Sequence, residues 1–147
     1  MNENLKKYDC EGMHNTYDKW PDLAKEAYSS DIQAVDYKNI DHVVFSGMGG
    51  SGAVGDLFSS ILSKTDIHTT VVKGYTLPKT VDKNTLVVCT SVSGNTDETL
   101  SILETCTKLD CKTIGFSSGN MLESLCQKNN IETITKKIQS ATTFLVA

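Results

Sequence analysis

The chain has 147 residues and a mass of 16.0 kDa, with 39% hydrophobic and 22% charged residues, which fits one domain with an ordinary core and a short arm and leaves no room for a second full lobe. Fourteen lysines against eighteen acids give a formal net charge of −4, and the sequence holds no arginine. This speaks against a nucleic-acid partner, which needs a basic face and base-reading arginines, and it removes the bidentate guanidinium clamp for phosphate. A phosphate site here must use backbone amides, hydroxyls or lysine.

Five cysteines, Cys10, Cys89, Cys106, Cys111 and Cys126, form no CxxC pair, and the polar start Met1-Asn2-Glu3-Asn4 carries no signal-peptide core. The apolar runs are strand-sized, such as Leu86-Val87-Val88-Cys89, far short of the roughly 20 residues that span a bilayer. A soluble, reduced, cytoplasmic chain with no membrane partner is expected.

Residues 1–38 read as a helical arm. Pro21 suits a first helical turn, Leu23, Ala24, Ala27 and Tyr28 follow at helical spacing, and a second short helix is expected from Asp31 to Val35. Residues 39–147 read as one α/β domain. His42 to Ser46 is a strand; Val54, Leu57, Phe58, Ile61 and Leu62 make a helical stripe; Ile67 to Lys73 and Asn84 to Thr90 are strands. A helix from about Thr96 to Leu109, a strand from Lys112 to Ser117, a helix from Met121 to Lys128 and a strand from Ile131 to Thr135 follow. The β-α alternation predicts a doubly wound parallel sheet of about five strands. Only Gly74 to Lys83, among the connections between strands, shows no helical stripe. The last residues, Gln139 to Ala147, begin as a helix and stop on an uncapped apolar run, which reads as a sequence cut short.

In such a sheet, ligands bind beyond the carboxyl ends of the strands. Three loops qualify. The first, Ser46-Gly47-Met48-Gly49-Gly50-Ser51-Gly52, joins glycines to a helix start and forms an anion cradle. It also satisfies G-x-G-x-x-G, so a dinucleotide site is an alternative; but the acid expected at the end of the second strand is replaced by Lys73-Gly74. The second loop, Thr90-Ser91-Val92-Ser93-Gly94-Asn95-Thr96, gathers hydroxyls at a helix whose first turn holds Asp97 and Glu98. Either it holds a phosphate, or Asn95 or Thr96 simply caps the helix with Glu98 completing a capping box. The third, Ser117-Ser118-Gly119-Asn120, repeats the design more weakly and reads as a turn and cap, with Ser117 and Ser118 as candidate substrate-orienting residues. His14, His42 and His68 stand isolated in the pattern, and the cysteines sit where small apolar residues would.

Gly47-Met48-Gly49-Gly50-Ser51-Gly52, then Tyr75-Thr76-Leu77-Pro78, then Ser91-Val92-Ser93-Gly94-Asn95-Thr96-Asp97-Glu98-Thr99 resemble the sugar isomerase (SIS) domain of the bifunctional phosphoglucose/phosphomannose isomerases found mainly in archaea. The resemblance runs from about Ile40 to Glu132 and matches the amino-terminal of that family's two lobes, with a flavodoxin-like sheet. It implies interconversion of aldose and ketose phosphates through an enediol without metal or cofactor, in a homodimer. Carried onto this chain, Gly49, Gly50, Ser51, Ser91, Ser93 and Thr96 would hold the sugar phosphate. Val92 replaces a family tyrosine and Asn120 a glycine. The family's Pro-Arg pair falls at Ser140-Ala141, and its glutamate base and ring-opening histidine belong to the second lobe. No catalytic residue is therefore assigned here, and the chain alone is expected to bind with little or no turnover. The competing expectation is a non-catalytic sugar-phosphate-binding or regulatory module.

Overall fold

A computed structural model describes residues 8–9, 13–29 and 35–135. The expected helix from Asp31 to Val35 and the expected helix start in 139–147 lie largely or wholly outside these residues, as does Ser140-Ala141. The chain divides into two compact units, with the boundary between Ala34 and Val35.

The first unit contains helices α1 (Met13–Asp18) and α2 (Trp20–Ser29). Pro21 stands in the first turn of α2, where its missing N–H costs nothing. Trp20 packs on Tyr17, ring centroids 5.1 Å apart.

The second unit runs β1 (His42–Ser46), α3 (Gly49–Leu62), β2 (His68–Val72), β3 (Thr85–Ser91), α4 (Asp97–Cys106), β4 (Lys112–Ser117), α5 (Asn120–Lys128) and β5 (Glu132–Thr135). The five strands are all parallel in the order β2-β1-β3-β4-β5. Parallel strands buried on both faces need continuous apolar runs. Val44, Val87 and Cys89 supply them and are fully buried, with Ile102 and Leu103 of α4 and Leu122 of α5 packed into the same core. The connection after β2 has no helix, as its missing stripe predicts; Leu77 reaches into the core instead.

The apolar stripe on α3 departs from the simplest reading. Val54 is buried, but Leu57, Phe58 and Ile61 are 49, 46 and 56% exposed. Phe58 covers part of its ring by stacking on Phe45 of β1, centroids 6.0 Å apart.

The strand order fixes where a ligand can sit. The chain leaves β1 to one side, for β2, and β3 returns on the other, so the crevice between the loops after β1 and β3 is the switch point of the sheet. Ser46 lies opposite Cys89, and Ser91 opposite Ser117. The three glycine- and hydroxyl-bearing loops therefore leave one edge side by side.

Candidate functional site

The loop after β1 is anchored by the Gly47 N–H, which donates to the Val72 carbonyl at the end of β2 (3.2 Å). A side chain at Gly47 would stand 2.9 Å from the Thr90 carbonyl oxygen, so this backbone runs hard against the end of β3. Helix α3 then begins after Met48, whose extended backbone ends the loop and whose side chain caps nothing. Gly49 adopts φ +53° with open space where a side chain would go. The first N–H groups of a helix have no partner within it, so Gly49, Gly50 and Ser51 turn donors and a partial positive charge toward the crevice. Gly49 and Gly50 are exposed, and Ser51 is buried at 7% exposure.

The loop after β3 carries the hydroxyls. Ser91 is buried, Thr96 half-buried and Ser93 exposed. The hydroxyls of Ser91 and Thr96 share a hydrogen bond of 2.8 Å across the loop, and the Gly94 N–H donates to the Ser91 carbonyl (3.1 Å). The Ser93 hydroxyl accepts from the Asn95 N–H (3.2 Å). Thr96 occupies the cap position of α4, yet no side chain there bonds the helix amides. Asn95 does not cap α4 either: its carbonyl oxygen accepts from the Met121 N–H of α5 (3.4 Å). Of the two alternatives the sequence leaves open for this loop, simple capping is therefore not what its side chains do, and the start of α4 remains open.

The third loop is built differently. The Gly94 carbonyl accepts from the Leu122 N–H (2.8 Å), so the second loop itself fills the amino end of α5. The Ser117 hydroxyl accepts from the Gly119 N–H (3.2 Å), and the Ser118 hydroxyl donates to the Val92 carbonyl. Asn120, in the left-handed region at φ +64°, donates from its side chain to the Ser93 carbonyl (2.8 Å). The Ser117 hydroxyl thus holds the turn of its own loop, and the Ser118 hydroxyl braces the second loop. The two backbones touch at Gly94, where φ is +69° and an added Cβ would fall 2.0 Å from the Gly119 carbonyl oxygen; only glycine fits both demands. Sequence reasoning missed this lock. Its signals were the glycines at 94 and 119 and the unexpected Asn120.

The remaining chemistry-bearing groups lie elsewhere. His42 and His68 open β1 and β2 at the opposite edge, and they are not isolated as the sequence pattern suggests: their rings lie 4.7 Å apart because the strands pair His42 with His68. His42 shares hydrogen bonds with the hydroxyls of Thr70 (3.0 Å) and Thr85 (3.4 Å). Burial, then the neighbouring His68, lowers its pKa, against the pull of Asp41 and Asp82. His14 is tied to Asp9. Cys106 bonds to Cys111, which favours its thiolate, but Cys89 and burial outweigh that and push the thiol up to about 12; Cys106 and burial push Cys111 up as well. These thiols stay protonated near neutral pH and act as small core residues. A cavity of about 410 Å³ opens at the same edge as the histidines, lined in part by Tyr37, Cys111, Asn130 and Glu132. The Tyr37 hydroxyl there shares its one proton between the Thr113 carbonyl (3.2 Å) and Glu132 (3.3 Å). Among the described residues no group of three or more His, Cys, Asp or Glu is placed to hold a metal, and no helix is long and apolar enough to cross a membrane.

Residues 36–147 match the SIS domain family. The chain is 39% identical over 124 residues to a bifunctional phosphoglucose/phosphomannose isomerase of Aquifex aeolicus, covering 83% of this chain and 35% of that protein. It is 36% identical over 122 residues to the protein of the same name from Caldicellulosiruptor bescii, covering 78% of this chain and 35% of that protein. It spans about a third of the length of the relatives it matches. Among solved structures, the C-terminal domain of a glucosamine-fructose-6-phosphate aminotransferase from Francisella tularensis superposes with a TM-score of 0.66 at 18% identity, covering 88% of this chain and 42% of that chain. Sequence motif, parallel sheet and family match agree: this chain belongs to the SIS domain family.

Proposed function

We propose that this chain holds the phosphate of a hexose 6-phosphate, glucose, mannose or fructose, as the amino-terminal lobe of an aldose-ketose isomerase. The observation that carries the reading is the pair of uncapped helix starts, α3 and α4, facing one crevice at the switch point of the sheet. The amides of Gly49 and Gly50 and the hydroxyls of Ser51, Ser91, Ser93 and Thr96 bind the phosphate oxygens. Hydroxyls and amides donate to a dianion without having to gain or lose a proton themselves.

In this reading the chain binds and orients substrate and exchanges no proton with it. Asp97 and Glu98 stand on the first turn of α4, where carboxylates stabilise the helix dipole. Proton abstraction beside a carbonyl needs a base within hydrogen-bond reach, and the part of the relatives' length that this chain does not span supplies it. The reaction uses no metal or nucleotide cofactor, and the chain works in the cytoplasm as a homodimer. The exposed side chains of Leu57, Phe58 and Ile61 support pairing, since an apolar face of this kind favours association; sedimentation of Leu57→Glu/Ile61→Glu as a monomer, with the unaltered chain a dimer, is the expected outcome.

Titration calorimetry with fructose 6-phosphate tests the binding reading, and saturable heat is expected. A coupled assay on this chain, and on a chain as long as its relatives, tests the catalytic part. Turnover only in the long form is expected. Binding without turnover in either form would instead mark a sensing module, and this second reading draws on the placement of His42 and His68 far from the crevice.

A further inference from the structure

We infer that Lys73 is a mobile cation of the phosphosugar site, shared between Asp56 and the bound phosphate, so that Asp56 tunes affinity by competing for it. The inference rests on the proposed function and deepens it.

Lys73 follows β2 directly, at the end of the sheet where the loop after β1 is anchored. Its stem crosses the first turn of α3. A Cβ on Gly52 would lie 3.0 Å from the Lys73 Cε and 3.3 Å from its Cγ, so the lysine lies in the notch that glycine leaves. From there the ammonium reaches Asp56, with Nζ 2.6 Å from a carboxylate oxygen. Asp56 is four residues beyond Gly52, one turn further from the amino end of the helix.

The geometry points both ways along α3. With Cε fixed over Gly52, rotation swings the ammonium by about 1.5 Å in radius, either down the helix to Asp56 or up toward Gly49 and Gly50. Both side chains of the pair are about half exposed, 47% for Lys73 and 53% for Asp56. An ion pair that exposed is weak and readily given up. A phosphate beside the helix start offers a dianion in exchange for a single carboxylate charge. A lysine suits the exchange because it is a point charge on a flexible stem. The chain has no arginine for the task. Lys73 also stands where a dinucleotide fold would need an acid for the ribose, so the same position that argues against a nucleotide supports an anionic sugar.

The test is a cycle of four chains, unaltered, Lys73→Gln, Asp56→Asn and the double variant, titrated with fructose 6-phosphate at about 50 and 200 mM salt. Lys73→Gln is expected to weaken binding about fivefold and flatten its salt dependence, with Lys73→Arg restoring most of the loss. Asp56→Asn is expected to tighten binding about twofold to threefold, and this gain disappears in the Lys73→Gln background. If the unaltered chain binds and all four affinities agree, or if Asp56→Asn tightens binding equally with and without Lys73, the inference fails and the site reading stands. If the unaltered chain does not bind at all, the site reading fails and takes the inference with it. Melting curves of the four chains show whether each is folded, and Lys73→Arg decides the matter should Lys73→Gln not be.

Discussion

The hydroxyls of Ser91 and Thr96 lie 2.8 Å apart, one buried at the end of β3 and the other at the mouth of α4. One hydroxyl donates to the other, so the pair is held together before a ligand arrives and the accepting hydroxyl keeps its proton to donate. Ser91→Ala and Thr96→Ala are each expected to weaken fructose 6-phosphate binding by about 1 to 3 kcal/mol, the cost of leaving a polar partner unmatched. Because they act as a pair, the double variant should lose less than the sum. Calorimetric titration of the three variants measures both effects, and strict additivity would separate the two hydroxyls into independent contacts.

Gly94 and Gly119 make the second prediction. A methyl group at position 94 meets a carbonyl oxygen at 2.0 Å in a backbone conformation that L residues avoid. Gly94→Ala is expected to cost about 3 kcal/mol of stability and to abolish sugar-phosphate binding with it. Urea unfolding gives the first number; a variant as stable as the parent would show that the two loops separate easily.

Thr99, in the first turn of α4, is fully buried, and its hydroxyl has no hydrogen-bond partner among the described residues. Thr99→Val exchanges that orphaned hydroxyl for a methyl group of similar shape. The variant should gain about 1 kcal/mol, visible as a melting point higher by about 3 °C. A lower melting point would reveal a hydrogen bond that Thr99 makes in solution.

His42 makes stability depend on pH. Its folded pKa lies below the unfolded value of 6.5, so the unfolded chain takes up this proton first. The contribution of neutral His42 is complete above the unfolded pKa and is lost as pH falls through that value toward the folded one. His68, Asp41 and Asp82 face the same ring, the first opposing its charge and the two acids favouring it. Unfolding free energies measured between about pH 7 and pH 5 should fall less steeply for His42→Gln than for the parent. Parallel curves would mean that His42 titrates alike in both states.

Much of this fold is legible in the sequence because parallel strands and amphipathic helices leave different periods. β1 and β4 coincide with their predicted ranges, His42 to Ser46 and Lys112 to Ser117, since β-branched and apolar runs end abruptly in loop residues at both. The remaining boundaries of this unit's expected elements move by at most one residue, apart from the end of α4, which falls three residues short of the expected Leu109. What stays hidden is what depends on neighbours. The stripe Leu57-Phe58-Ile61 declares an apolar face and not whether anything covers it. The contact of His42 with His68 follows from the pairing of β1 with β2, and the lock between the second and third loops from the pairing of β3 with β4. Spacing along one strand discloses neither. The choice between capping and binding stays open in the sequence for the same reason: the Asn95 side chain serves α5, a helix that begins 25 residues later, and no local pattern announces a partner at that distance.

The seam between Gly94 and Gly119 has an evolutionary corollary. Two turns that share a backbone contact cannot drift separately: lengthening either would pull the serine-rich rim apart, so insertions in a lineage of such chains should accumulate at Lys79–Lys83 or around Asp110, between α4 and β4, and spare both turns. Substrate range would then change through side chains that overhang a fixed rim, with the rim itself inherited intact.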